Sequence, residues 1–414
     1  MFAIFLSYAI FLAINLQPGI IPDEPAHFIF SKHFSGTLGI PEDSIETYSF
    51  GWYIQGNPFL YYWVNARIIN LLQLINPSIS DWGLLVGLRF FNVLFSLGTV
   101  FFCYFLSNKL FQNKWWQLLP VFLLINTLMF VFLASGVNYD NLANLLSMSS
   151  LFFLMRVFKG EAYLKNSLAW LILISLGTLT KYTLLPLALA MVVAWLIFTL
   201  MHRNEVFPLH LSGIKFFFLV ATLIILMIGN FALYGVNIIR YQSLTPPCKE
   251  ILTEDQCAIS PYVRRFEESA LPEKLNISES TLQGYPSPIM YPFTDWIPNM
   301  LLRSFGAIGH QAYYPLNLII FLQFLFYWIA FLGFFNFLIS RKASFVMWSL
   351  LGIMIFYALV LLFTNYQSEL LYGFQHISLA GRYIFPVIGG IYIFVTKVIN
   401  KTPIRIIKWI TLIL

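Results

Sequence analysis

Long apolar runs make up most of this chain, and their length limits the folds open to it. A stretch such as LPLALAMVVAWLIFTLM, residues 185–201, has no alternation of polar and apolar positions and cannot lie half-buried on a water-soluble core. Helices of about 20 apolar residues cross the hydrocarbon of a bilayer, where the backbone must satisfy its own hydrogen bonds. About ten such runs are read, at 2–21, 83–107, 116–136, 142–158, 166–180, 182–201, 213–235, 315–340, 343–363 and 381–399. PIRIIKWITLIL, residues 403–414, reads as an eleventh helix cut short. The expected fold is an all-α polytopic membrane protein, with 1–414 forming one transmembrane domain. Composition agrees: only 10% of residues are charged, against about 25% in soluble domains. The first run lacks a basic leader and a small-residue cleavage site, so it is read as a retained helix.

The net charge of +6 does not point to nucleic acid, because the basic residues form no continuous stripe. They sit in short clusters between runs, where they signal topology. With Met1 inside, the inner loops collect Lys109 and Lys114, Arg156, Lys159 and Lys165, His202 and Arg203, Arg341 and Lys342, and Lys397, Lys401, Arg405 and Lys408. The outer face then collects Asp23, Glu24 and His27 in PDEPAHF, Asp140 in SGVNYDN, Lys181 in LTKYT, Arg303, His310, and His376 and Arg382 in QHISLAGRYIFP. Ionisable groups at a membrane are costly unless paired or used, so this gathering marks a candidate site. For any one of them alone, the plainer reading is an ordinary polar helix end.

Two outer segments, 22–82 and 236–314, are too long to be simple connectors. In the first, EPAHFIFSKHF and NPFLYYWVNARIINLLQLI mix charge with aromatic and aliphatic faces, which fits helices lying in the interface. The second carries Cys248 and Cys257, which can pair in an oxidising compartment. Cys103 falls inside a predicted span and reads as packing. NIS at Asn276 matches a glycosylation sequon, a weak pattern.

A first helix ending in an acidic pair, NPFLYYW after it and LGTLTKYT further on resemble the GT-C membrane glycosyltransferases, including protein-mannosylating and lipid A aminoarabinose-transferring members. PDEPAHF together with GRYIFP is more similar to a bacterial family of GT-C-like membrane proteins. NPFLYYW departs from the double-proline form of relatives at Phe59. The resemblance implies a sugar transferase of the plasma membrane that draws on a polyprenyl-phosphate donor at the outer face, for assembly of cell-envelope glycans or glycoconjugates. Its acceptor would be a glycan, lipid or protein. It also implies that Asp23, with Glu24 as neighbour, acts as general base or positions the acceptor.

That chemistry stands on its own terms. A phosphate leaves without a strong general acid, whereas an acceptor hydroxyl gains from a positioned carboxylate. Direct displacement inverts the anomeric centre and needs no enzyme nucleophile. Arg382 and Lys181 are the candidate phosphate ligands, one a bidentate fork and one a compact charge; both residues would serve equally as interfacial anchors. His27 and His376 are candidates for hydrogen bonds to phosphate or substrate, although a lone histidine among aromatics is more often structural. Asp140 pairs with a basic residue or binds acceptor. The acidic pair with Asp140 could hold a divalent cation, but there is no zinc spacing and the expectation is no cofactor.

Two other functions fit a polytopic chain. A lipid-linked sugar transporter or flippase should place ionisable residues at the bilayer midplane in broken helices. A polysaccharide polymerase or ligase would use arginines of a large outer loop and would not need the acidic pair. No glycine-rich phosphate loop or nucleophile elbow is present, which argues against a nucleotide-sugar enzyme.

Overall fold

The computed structural model describes residues 1–51, 53–202, 213–308, 311–312, 316–339 and 345–402. Arg203, His310, Arg341, Lys342, Arg405, Lys408 and the run 403–414 lie outside the described residues. In chain order the first ten helices are α1 (Phe2–Asn15), α2 (Glu24–Ser35), α3 (Ile45–Ser49), α4 (Leu60–Ile75), α5 (Asp81–Leu110), α6 (Lys114–Ile125), α7 (Leu128–Ala134), α8 (Tyr139–Phe158), α9 (Tyr163–Thr180) and α10 (Leu185–Met201). Then follow α11 (Ile214–Asn230), α12 (Pro261–Ser269), α13 (Ile297–Phe305), α14 (Leu316–Ile339), α15 (Phe345–Tyr372) and α16 (Phe385–Lys401), with short helical turns between them. A two-residue hairpin, Ala307–Ile308 with Gln311–Ala312, is the strand pairing among the described residues.

Seven of the described helical spans are long and apolar enough to cross a membrane, or eight if α6 and α7 form one span. The chain is an integral membrane protein. The count is lower than the ten runs read from sequence, for local reasons. α1 stops at Asn15, before Pro18 and Gly19. In the first turn and a half of α9, Lys165, Asn166 and Ser167 dilute its apolar length. The run 116–136 breaks with a 70° bend. At that break Thr127 Oγ1 donates to the Leu123 carbonyl (3.0 Å), the acceptor a continuing helix would give to the Thr127 N–H, while that N–H turns to the Leu124 carbonyl (3.2 Å).

α5 is the spine. Its thirty residues reach about 45 Å, and it packs against α1, α6 and α8. Its buried stripe runs Leu88, Asn92, Ser96, Thr99, Cys103 at helical spacing. At the contact with α8, Ser96 Oγ donates to Asn141 Oδ1 of that helix (3.0 Å), and a Cβ on Gly98 would stand 2.8 Å from Leu145. At the end of α5 and α8 remote from Asp23, Glu161 accepts from Lys109 (3.0 Å) and Arg156 (2.8 Å), fastening the two helices through the turn after α8. The helices expected in the first long loop are present as α2 and α4, packed on each other.

Candidate functional site

The chain reverses sharply after α1, and that reversal builds the site. Asp23 caps the start of α2 in a left-handed conformation, φ 61°, a region that side chains other than glycine, Asn and Asp rarely visit. The left-handed turn sends the two carboxylates of the acidic pair to different partners. Glu24 is buried and receives Arg89 through both Nε (2.8 Å) and Nη2 (2.6 Å), and it also accepts the backbone N–H of Val137 (3.0 Å). Arg89 Nη1 donates to the carbonyls of Ala13 and Leu16 at the end of α1. One ion pair therefore fixes the end of α1, the start of α2, the first third of α5 and the approach to α8.

Asp23 faces the other way. Arg382 Nη2 donates to its Oδ2, and the Tyr262 hydroxyl donates to its Oδ1 at 3.4 Å. Arg382 Nε lies 3.6 Å from Asp140 Oδ2, and Lys181 Nζ donates to Asp140 Oδ1. Asp140 itself is set by Asn138, whose Oδ1 accepts the Asp140 N–H (2.9 Å) and whose Nδ2 donates to the Pro22 carbonyl (3.1 Å). Lys181 Nζ sits between the rings of Tyr139 (4.6 Å) and Tyr383 (4.8 Å), a geometry that favours a desolvated cation. Burial is the largest influence on Lys181 and lowers its pKa, with Asp140 opposing.

Arg382 is aimed by its neighbour. A Cβ on Gly381 would stand 2.6 Å from Ser304 Oγ and 2.7 Å from the α13 backbone, so the GRYIFP segment reaches this depth only with glycine there. His27 is buried beside the cluster, hydrogen-bonded to the Tyr62 hydroxyl (3.0 Å) with its ring edge against Tyr139. Burial pushes its pKa down to about 3, so it is a neutral imidazole.

Of the residues expected from sequence, the fold brings Asp23, Asp140, Lys181 and Arg382 into one cluster with His27 at its wall. Glu24 turns away to Arg89. His376 belongs to a separate group: its Nδ1 is 3.3 Å from Glu369 Oε1, its Nε2 is 3.8 Å from Asp295 Oδ1, and Arg303 donates to its carbonyl (3.1 Å). The Glu369 carboxylate beside it raises its pKa. Cys248 and Cys257 form a disulfide, S–S 2.08 Å. Among the described residues no group of three or more His, Cys, Asp or Glu is placed to hold a metal ion. A divalent cation at Asp23 and Asp140 would have to compete with Arg382 and Lys181 for the same oxygens.

Sequence reasoning passed over Arg89, Tyr62, Tyr139, Tyr262 and Tyr383. Arg89 carried a signal, since a lone charge inside the run 83–107 demands a buried partner. The tyrosines carried none, being four among 22.

A family model described as dolichyl-phosphate-mannose-protein mannosyltransferase matches residues 58–228. No curated protein sequence matches the chain. Among solved structures, ArnT from Cupriavidus metallidurans bound to undecaprenyl phosphate is similar at a TM-score of 0.52 and 12% identity, covering 100% of this chain and 61% of that one. The apo form of the same ArnT gives 0.50 and 13%. Arabinosyltransferase EmbB from Mycobacterium smegmatis gives 0.51 and 12%, covering 96% of this chain and 30% of that one. The chain thus spans less than two thirds of the length of either neighbour. At such identity the likeness concerns the fold, and the fold is GT-C.

Proposed function

We propose that this GT-C chain transfers a sugar from a polyprenyl-phosphate donor to an acceptor hydroxyl at the outer face of the plasma membrane, with inversion at the anomeric carbon. The observation that carries this reading is the cluster of two carboxylates and two cations, Asp23 with Arg382 and Asp140 with Lys181, drawn from four helix ends. The undecaprenyl phosphate in the ArnT neighbour supports a polyprenyl-linked donor, and the basic clusters at the opposite helix ends support the outward orientation.

In this reading Asp23 accepts the proton of the acceptor hydroxyl as its oxygen bonds to the anomeric carbon. The bond from that carbon to the phosphate oxygen breaks at the same time, and both electrons leave with the phosphate. The donor phosphodiester carries one negative charge and the departing phosphate carries two, while Asp23 has lost one, so the total charge in the cavity does not change. Arg382 answers the growing charge with its fork: among the described residues Nε and Nη1 make no hydrogen bond, and they are available to a phosphate. Lys181 adds a compact charge, and Asp140 holds it in place. Glu24 is the anchor of the turn rather than a second base.

A transporter would be expected to keep ionisable groups at a helix break. The break between α6 and α7 instead joins Thr127 to the Tyr392 hydroxyl. The test is purified protein in lipid incubated with labelled polyprenyl-phosphate sugars and candidate acceptors. Donor-dependent release of polyprenyl phosphate that Asp23→Asn abolishes supports the reading; turnover undiminished in that variant defeats it.

A further inference from the structure

The second long loop does not hang free of the site. α12 lies over the Asp23 turn, and three features fix it there. Ser260 caps α12, its Oγ accepting the Val263 N–H (3.3 Å) while donating to the Gly51 carbonyl (2.7 Å). Gly51, φ 112°, presents bare backbone to the ring of Tyr262: a Cβ there would fall 2.3 Å and 2.4 Å from two ring carbons. The segment before α12 is closed by the Cys248–Cys257 disulfide, with Cys257 buried against the first loop. Further along, the Tyr53 hydroxyl donates to the Pro246 carbonyl (2.9 Å), and Asn237 Nδ2 to the Gly56 carbonyl (2.9 Å). The two long loops are therefore docked on each other at several points, and the outcome of that docking is one hydroxyl on Asp23.

We propose that Tyr262 is a positioning residue for Asp23, holding Oδ1 while Arg382 holds Oδ2, and that Gly51 is the seat that lets it reach. The inference rests on the reading of Asp23 as base. Two donors on one carboxylate fix its plane, so the lone pair used for proton transfer points into the cavity. They also favour its charged form. Burial and the Asp23 carboxylate push the Tyr262 phenol up to about 12, so it remains a protonated donor at working pH. The other charged groups around this contact are Arg265 beside Tyr262, and Asp140 and Lys181 beyond Arg382; His27 and Tyr62 flank Asp23 from α2 and α4.

The experiment is the pH dependence of kcat/KM in the full-length protein in lipid for Tyr262→Phe, Gly51→Ala and both together, with Asp23→Asn alongside. Removing the phenol removes a donor that stabilises the carboxylate, so the acidic limb should move to higher pH by roughly half to one unit. Donor KM should change little, because the hydroxyl that Tyr262→Phe removes is bonded to Asp23. Gly51→Ala should move the limb in the same direction. The double variant should move it no further than Tyr262→Phe alone, since both changes remove one contact. An acidic limb unmoved in Tyr262→Phe, with Asp23→Asn inactive, overturns this inference and leaves the base reading intact. Activity retained in Asp23→Asn overturns the base reading itself. Should Gly51→Ala fail to fold, Tyr262→Phe decides alone.

Discussion

Asp23 and Glu24 are neighbours in the chain, and each meets an arginine, yet the two pairs are built differently. Glu24 and Arg89 have side chains 1% and 0% exposed, and every guanidinium nitrogen of Arg89 finds an acceptor. Asp23 and Arg382 are 16% and 12% exposed, and among the described residues two nitrogens of Arg382 make no hydrogen bond. A saturated buried pair has nothing left to offer a ligand. An incompletely satisfied pair beside a second one is a place where an anion gains more than it displaces. The difference separates an anchor from a working group, and substitutions at the two pairs should separate in the same way.

The largest expected effect is on turnover at the open pair. Asp23→Asn should lower transfer by about 10²- to 10⁴-fold while leaving the thermal transition in place, as read by parallel activity and melting assays. At the closed pair the effects should reverse. Arg89→Met leaves Glu24 buried without its partner and should destabilise by about 3–5 kcal/mol, seen as a lost or lowered melting transition. Adding Glu24→Gln to it should recover part of the loss. A fully stable Arg89→Met protein would break the comparison. Smaller again, Arg382→Lys keeps the charge and loses the fork, so it should reduce activity by roughly tenfold, with donor affinity weakened and the fold unchanged.

The smallest effect is on pH dependence and concerns the two histidines. Folded His27 stays neutral down to about 3, whereas the unfolded chain takes up a proton near 6.5. Below that value the unfolded state binds more protons, so stability falls as pH falls from 6.5 towards 3. His27→Gln should flatten the melting temperature between about pH 7 and 5. His376 has the opposite sign. Its pKa is raised by Glu369, so its contribution is full below 6.5 and is lost as pH rises through the higher folded value. An identical slope in wild type and His376→Gln would remove that role.

Much of this was legible in the sequence because hydrophobic length is a local property. The helices at 83–107, 182–201 and 381–399 extend only a few residues beyond the runs that announced them. The charged members of the site were legible too, since a charge in an apolar chain stands out. Their partnerships were not: Asp23 and Arg382 are 359 positions apart, and spacing carries no information at that range. Glu24 reads from sequence as the neighbour of Asp23 in the site, because adjacency hides the φ 61° turn that parts them. His376 was grouped with the site on topology alone, and the Gly373 and Phe374 turn carries it to Glu369 instead.

The fastening around Glu161 gives the molecule two ends that respond to different solvents. Lys109, Arg156 and Glu161 are 43%, 31% and 30% exposed, so their attraction is carried through water and dissolved ions can dilute it. Between about 0.01 M and 1 M salt the screening length shrinks from about 30 Å to 3 Å. Hydrogen exchange in the turn after α8 should quicken across that range, while amides beside Glu24 and Arg89, sealed from counterions, should keep their rates. Ionic strength is thus a handle that loosens the far end of α5 and α8 without reaching the carboxylates at the other.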